Sequence, residues 1–422
     1  MGEKYCEFPF SPCCLCKKAK KERRLEMLRA LGFGIMVVSL VLMPIVGKAA
    51  EPIKIGLVAP FSGEEAFAGR FAKHATTLAA EEINKAGGVL GRQIELIYED
   101  DESIPTKSVA ACRKLAYRDQ VNVLMAAYSS SCTLADIKVA EAAQIPTVTW
   151  SLNWRITEQG NNWVFRHTVS DKIMVVDIVR FVVKKLGLKK IALVTFTNEW
   201  GKSGKEMATA TLEELGMKPV ADVVGPMGQK DWTAQVLKVI EGGAQGAFLQ
   251  GDGYAIQQRF QLSPKRIMSF GAAPISTSSW VEQTTPEAYD GSVYSALFCP
   301  TDPQPKVQDF VKRFKERWQY APDLRCAGYY DAVRMIAQAV RNVGSSAPKD
   351  IASGMRNLKN WEGIQGKFSY DEKGEGIREA HIYYSRGHET FPLDGKGIEY
   401  LNKKYNLGLS SEQIEKIARE MP

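Results

Sequence analysis

Residues 53–103 read IKIGLVAPFSGEEAFAGRFAKHATTLAAEEINKAGGVLGRQIELIYEDDES. The opening Ile53–Phe61 is a short apolar run that ends in a Pro/Gly turn, which predicts a strand. From Phe67 to Lys85 the apolar residues Phe71, Ala72, Ala75, Leu78, Ala79 and Ile83 recur at helical spacing. Gly87-Gly88 then stops the helix. Ile94–Tyr98 is a second strand, and Glu99-Asp100-Asp101-Glu102 is its polar exit. A strand, a helix and a strand in this order form a crossover unit, and such units build parallel sheets.

The same alternation runs onward from this unit. Pro105 to Tyr117 is a helix with Pro in its first turn, Val121–Ala126 a strand, Thr133–Ala143 a helix and Thr147–Trp150 a strand. A second series follows. Ile173–Leu186, Gly204–Leu215 and Trp232–Glu241 read as helices, with a short one at Ala255–Gln261. Lys190–Phe196, Lys218–Val224, Ala247–Gln250, Ile267–Phe270 and Gly291–Leu297 read as strands. The helix signal is weak around Phe165–Asp171, and Cys299–Pro305 holds three prolines, so both stretches are expected to connect lobes. Val307–Trp318 and Tyr329–Val343 are helices, with a shorter one near Asp350–Leu358. Ala380–Ser385 is a late strand and Glu412–Arg419 a terminal helix. The expected organisation is residues 51–170 plus 300–377 as one α/β lobe and 171–299 plus 378–396 as a second. Residues 397–422 form a helical tail. A chain of 422 residues is too long for one core of ordinary size.

The charge is +7 overall, yet residues 1–50 hold nine Lys/Arg against four Asp/Glu, and the remainder holds 46 against 44. With no basic stripe left, a nucleic-acid partner is excluded. Residues 27–50, MLRALGFGIMVVSLVLMPIVGKAA, place Arg29 before an apolar run and small residues at Gly47, Ala49 and Ala50. This is the pattern of a cleavable secretory signal and predicts a periplasmic product. No Cys lies near the cleavage region, so no lipoprotein is expected. The alternative is an uncleaved anchor over residues 30–46, which would make the chain a membrane-tethered ligand sensor. Residues 1–26 carry Cys6, Cys13, Cys14 and Cys16 without the paired spacing of a zinc site, and a start at Met27 would leave them as an upstream extension. Cys112, Cys132, Cys299 and Cys326 remain, and their pairing stays open.

Signatures of catalysis are missing. No GxGxxG follows a strand, no GxSxG elbow occurs, and Gly201-Lys202-Ser203 lacks the leading Gly of a P-loop because position 196 is Phe196. His74, His167, His381 and His388 form no metal-ligating pair. The chain is therefore read as a non-enzyme with no cofactor, no metal and no catalytic residue.

Nine blocks in order resemble the branched-chain amino acid binding proteins, type I periplasmic solute-binding proteins. They are IKIGLVAPFSG with FAG, the stretch from Ala79 to Ser103, Pro105 to Leu115, Ala127–Ser131, IPTVTWS, Asn198–Gly201, QKDWTAQV, Cys326–Val333 and Gly366–Gly376. The likeness spans about 51–400. It implies two doubly wound parallel-sheet lobes joined by a three-strand hinge, which close on a ligand as a flytrap. It also implies delivery of that ligand to an ABC permease and its ATPase subunits at the inner membrane, by a chain expected to be a monomer.

The resemblance also implies a site. Ser129, Ser130 and Ser131 follow a strand and precede a helix, where hydroxyls and free amides suit a ligand carboxylate; an ordinary Ser cap is the plain alternative. Trp150, Ser151, Leu152 and Asn153 follow the next strand, with Leu152 where relatives often carry Thr. Trp150 is equally readable as a core aromatic. Phe67 flanks the cleft, Trp200 stands where the family often stacks a Tyr on the ligand, and Gly251, Asp252 and Tyr254 supply further contacts. Asp252 is a counter-charge for an ammonium group or a solvated loop acid. The family's acid for that ammonium is absent from Phe270-Gly271-Ala272-Ala273-Pro274. A buried ammonium without a partner is costly, so amides and amine-free carboxylates stand beside amino acids as candidate ligands.

Overall fold

The computed structural model describes Gly2 and residues 51–421, apart from 251–252, 261–262, 264 and 273–277. The expected signal segment therefore lies outside the described residues. Among those described, no helix is long and apolar enough to cross a membrane.

The first sheet is built from β1 (Ile53–Ala59), β2 (Ile94–Asp100), β3 (Val123–Met125), β4 (Thr147–Thr149) and β5 (Val164–Arg166). Its order is β2-β1-β3-β4-β5 with every pairing parallel. The crossovers are α1 (Ala66–Lys85), α2 (Pro105–Arg113) and α3 (Ser130–Ala143). Residues 164–166, read from sequence only as a connection, are the edge strand of this sheet. Three residues are too few to display a periodicity.

The chain then leaves the sheet through α4 (Asp171–Arg180) and starts again. β6 (Ile191–Phe196), α5 (Glu199–Glu214), β7 (Ala221–Gly225), α6 (Thr233–Glu241), β8 (Gly246–Gln250), α7 (Gly253–Arg259), β9 (Met268–Ala272), α8 (Ser278–Gln283), α9 (Pro286–Tyr289) and β10 (Val293–Ala296) follow. The parallel part of this second sheet runs β7-β6-β8-β9-β10. Counted within its own series, that is again the order 2-1-3-4-5. In such sheets the connections leave opposite faces on either side of the first strand, and a crevice opens beyond the carboxyl ends there. Each sheet thus offers half of a site at an equivalent place.

After β10 come α10 (Pro305–Trp318), α11 (Leu324–Val343) and α12 (Pro348–Arg356). Here α11 packs along α1 on the first sheet. Then β11 (Trp361–Gly363), β12 (Gly366–Tyr370) and β13 (Gly376–Ile377) form a small antiparallel sheet. β14 (His381–Arg386) and β15 (Glu389–Pro392) extend the second sheet antiparallel beyond β10. α13 (Gly395–Tyr405) and α14 (Ser411–Arg419) end the chain. The small sheet, β15 and α13 went unread in the sequence, because short antiparallel strands and a largely polar helix carry little apolar pattern.

The connection from β5 to α4 is clamped. Buried Arg166 donates from Nε to the Glu375 carboxylate at 2.9 Å and from Nη2 to the Asn153 carbonyl at 2.8 Å. Glu375 also accepts from Thr157 Oγ1 at 2.6 Å and from the Ser170 amide at 3.2 Å. The buried cation is thus held by a carboxylate that has its own donors, while Arg166 Nη1 is buried without a hydrogen-bond partner. The four cysteines outside 1–26 are all free and buried.

Candidate functional site

A cavity of about 50 Å³ lies at the carboxyl ends of strands from both sheets. It is lined from the first by Glu65, Tyr128, Ser129, Ser130, Trp150, Ser151 and Leu152, and from the second by Asn198, Trp200 and Met227. These residues follow β1, β3 and β4 on one side and β6 and β7 on the other. That is where the strand order predicts a crevice.

On the first wall, Ser129 is the N-cap of α3 with extended backbone, yet its side chain makes no capping bond to the helix. The first turn of this 14-residue helix contains no acid. Its leading amides and dipole are left without the usual intrahelical partner at the cavity edge, an arrangement that suits an anion. Around them the hydroxyls are already engaged. Ser151 Oγ bonds Thr133 Oγ1 at 2.7 Å and the Tyr128 carbonyl at 3.0 Å. Ser130 Oγ accepts from the Asn153 amide at 3.3 Å. These bonds tie β4's exit to α3 and fix the wall.

Trp150 is both core and wall, resolving the two readings of its sequence. It is only 3% exposed, its ring stacks on Tyr329 at 6.0 Å, and it lies 5.6 Å from His167. Gly328 makes that seat, since a Cβ there would stand 2.1 Å from the Trp150 ring. Burial, with the Arg378 and Arg166 cations nearby, pushes the His167 pKa down to about 3, so the ring beneath Trp150 is neutral. Burial likewise pushes the Tyr128 hydroxyl up to about 12, with Arg325 opposing and Glu65 adding to the shift.

Glu65 is a lining residue that the sequence reading missed. It sits on the loop after β1, accepts a hydrogen bond from Ser103 Oγ, and is the one acidic side chain among the described lining residues. Tyr128, Asn198 and Met227 were also missed. The first two lay inside blocks already singled out, while Met227 sits in a loop with no distinguishing pattern.

On the second wall, Asn198 caps α5, its Oδ1 accepting from the Gly201 amide at 2.9 Å. Gln250, at the end of β8, donates from Nε2 to the Trp200 carbonyl at 2.8 Å and to Asp171 at 3.3 Å. Gly204 permits this approach, because a Cβ there would fall 1.9 Å from the Gln250 amide. The Trp200 ring meets Phe196 edge-on at 6.0 Å. Its Nε1 is buried and has no hydrogen-bond partner. Burial raises the Asp171 carboxyl to about 7, against the stabilising hydrogen bonds of Ser203 and Gln250 and the charge of Arg166.

Of the residues singled out in the sequence, the structure brings Ser129, Ser130, Trp150, Ser151, Leu152 and Trp200 to one cavity. Phe67, Ser131 and Asn153 lie outside its lining. Phe67 packs under the Arg325 guanidinium at 4.9 Å. Asn153 is fully buried and donates from Nδ2 to the Glu199 carbonyl at 2.8 Å, which ties the two walls together. Gly251 and Asp252 fall outside the described residues, and Tyr254 stands in the first turn of α7.

Residues 52–389 match the family model described as periplasmic binding protein. A Leu/Ile/Val-binding protein homolog of Brucella melitensis is 26% identical over 345 residues, 80% of this chain and 91% of the relative. A leucine binding protein from Thermotoga maritima superposes with a TM-score of 0.75 at 23% identity, over 81% of this chain and 97% of that one. An R. palustris solute binding protein in complex with benzoate superposes with a TM-score of 0.74 at 20% identity, over 81% and 95% of the two chains.

Proposed function

The chain belongs to the periplasmic binding protein family, and from that premise we propose that it captures a small carboxylate between its two sheets and delivers it to an ABC permease. The observation that carries this reading is the N-terminus of α3, which opens on the cavity without a side-chain cap or a first-turn acid. A ligand carboxylate there would gain the dipole and charge-assisted bonds to free amides. Ser129 and Ser130 would hold it, Trp150 and Leu152 would pack its body, and Trp200 and Met227 would close from the other side. The family likeness supports lobes of 51–170 plus 300–377 and 171–299 plus 378–396, moving about the clamped connection at Arg166 and Glu375.

Glu65 favours an amino acid, because a carboxylate in the same cavity supplies the ammonium partner missing from the stretch at Ala272. The relatives carry names of both kinds, a leucine binding protein and a protein bound to benzoate. Residues 27–50 are read as the signal that exports the chain. Sequencing the mature N-terminus tests this, and a start near Ala50 or Glu51 removes the tethered-sensor alternative.

The test of capture is a thermal-shift screen of the exported protein against amino acids, amides and small aliphatic or aromatic carboxylates. A ligand bound only by the folded state raises the melting temperature by mass action, about 2.7 kcal/mol at a hundred times its Kd. Stabilisation confined to carboxylates is expected. No response to any of them would overturn the reading.

A further inference from the structure

Trp200 lines the wall opposite the open helix N-terminus, and its Nε1 is a buried donor without a partner. The main chain at Trp200 is fixed, its carbonyl held by Gln250 and its turn capped by Asn198, and the ring is braced edge-on by Phe196. Among the other described lining residues of that wall, Asn198 has its Oδ1 engaged in the cap, and Met227 offers only a weak thioether acceptor. A buried donor left unpaired is penalised by about 1–3 kcal/mol. A purely hydrocarbon ligand end would leave that penalty in place, whereas an oxygen acceptor would remove it.

We propose that Trp200 reads the ligand's far end, and that the ligand is a small carboxylate carrying a second oxygen acceptor, such as a ketone, ether or hydroxyl, instead of a plain branched hydrocarbon. This rests on the reading of the cavity as a carboxylate site. The carboxylate lies on α3 and the acceptor meets Trp200 Nε1. Trp200 thereby sets specificity within the class of carboxylates.

Two near-isosteric pairs test this by calorimetry on the whole exported protein: norvaline with O-methylserine, and 4-methylpentanoate with 4-oxopentanoate. Each pair exchanges hydrocarbon for an oxygen acceptor without adding a donor. The acceptor-bearing member is expected to bind about tenfold tighter in at least one pair. In Trp200→Phe, which keeps an aromatic ring and removes the donor, that ratio should fall to near one, whatever the change in absolute affinity that the smaller ring causes in both members alike. Equal binding of the two members, or a ratio unchanged in Trp200→Phe, would overturn the proposal and leave carboxylate capture standing. If no member of either pair binds and the wider carboxylate screen is also silent, both readings fail together. If other carboxylates bind but neither acceptor-bearing probe does, the assignment of an acceptor end is wrong.

Discussion

The two walls of the cleft stand at equivalent positions of two sheets with the same strand order, yet their polar groups are arranged in opposite ways. On the first wall the side-chain hydroxyls of Ser151 and Ser130 are engaged within the wall, while the α3 amides face the cavity without a side-chain cap. On the second wall the helix terminus is capped by Asn198, and a side-chain donor, Trp200 Nε1, is left unpaired. Backbone amides at a helix start have fixed geometry and suit a fixed ligand group. A side chain is replaceable without disturbing the fold. The difference assigns the common part of the ligand to the first wall and its variable part to the second.

The strongest way to break this division is to cap α3. In Ser129→Asp the new carboxylate would sit where the ligand's carboxylate is expected. Asp is a good N-cap and favourable beside the helix dipole, so folding stability should hold or rise by up to about 1 kcal/mol. Affinity should fall by about a hundredfold, since charge-assisted bonds are each worth about 1.5–3 kcal/mol. Melting curves without ligand and titration with the best screened ligand would show the two effects with opposite sign. Unchanged affinity would mean that the α3 terminus is not the anion site.

A smaller effect sharpens what the first wall recognises. Glu65→Gln keeps the shape and removes the charge. For a ligand with an α-amine the affinity should drop about tenfold or more, because its ammonium loses a desolvated partner. For an amine-free acid it should stay constant or improve, since a like charge has left the cavity. Titration of a matched amino acid and its deaminated analogue separates the cases. Equal loss for both would assign Glu65 to support of the wall through Ser103.

Much of the wall architecture was legible in the sequence because polar or aromatic residues directly after apolar strands must emerge at the carboxyl edge of a parallel sheet. That position, taken with the family resemblance, singled out Ser129, Ser130, Trp150, Ser151 and Leu152, and the resemblance singled out Trp200. The reading failed where rotation or long-range bonding decides. Ser131 follows Ser130 by about 100° of helix, which is enough to turn it off the cavity. Asn153 looked like a ligand contact, but its amide reaches the Glu199 carbonyl on the other wall, a pairing with no local signal. Glu65 was missed because the placement of a loop acid depends on how the chain turns between β1 and α1. Trp200 could be named from its position, but its unpaired nitrogen emerges only from three-dimensional packing.

The smallest effect concerns the support behind the second wall. Asp171 lies beneath Trp200, linked through Gln250, and faces Ser203, Arg166 and Glu375. Its carboxyl ionises near 3.8 when exposed and near 7 when buried here. Between those values the folded state binds more protons than the unfolded state, so stability falls as pH rises. The contribution is fully present below about pH 3.8 and is lost as pH rises through about 7. Asp171→Asn cannot ionise and should remove this slope, which makes the variant relatively more stable at pH 8 than at pH 4 when compared with the parent at each pH. Melting temperatures across that range give the difference directly, and the other carboxylates cancel because both proteins share them. A constant difference would show that Asp171 is not held neutral behind the wall. A slope of the expected sign would show that the second wall rests on a group that titrates near neutrality. The His167 ring behind the first wall, lowered by burial from 6.5 to about 3, contributes the opposite slope, because between those values the unfolded chain binds the extra proton and stability rises with pH.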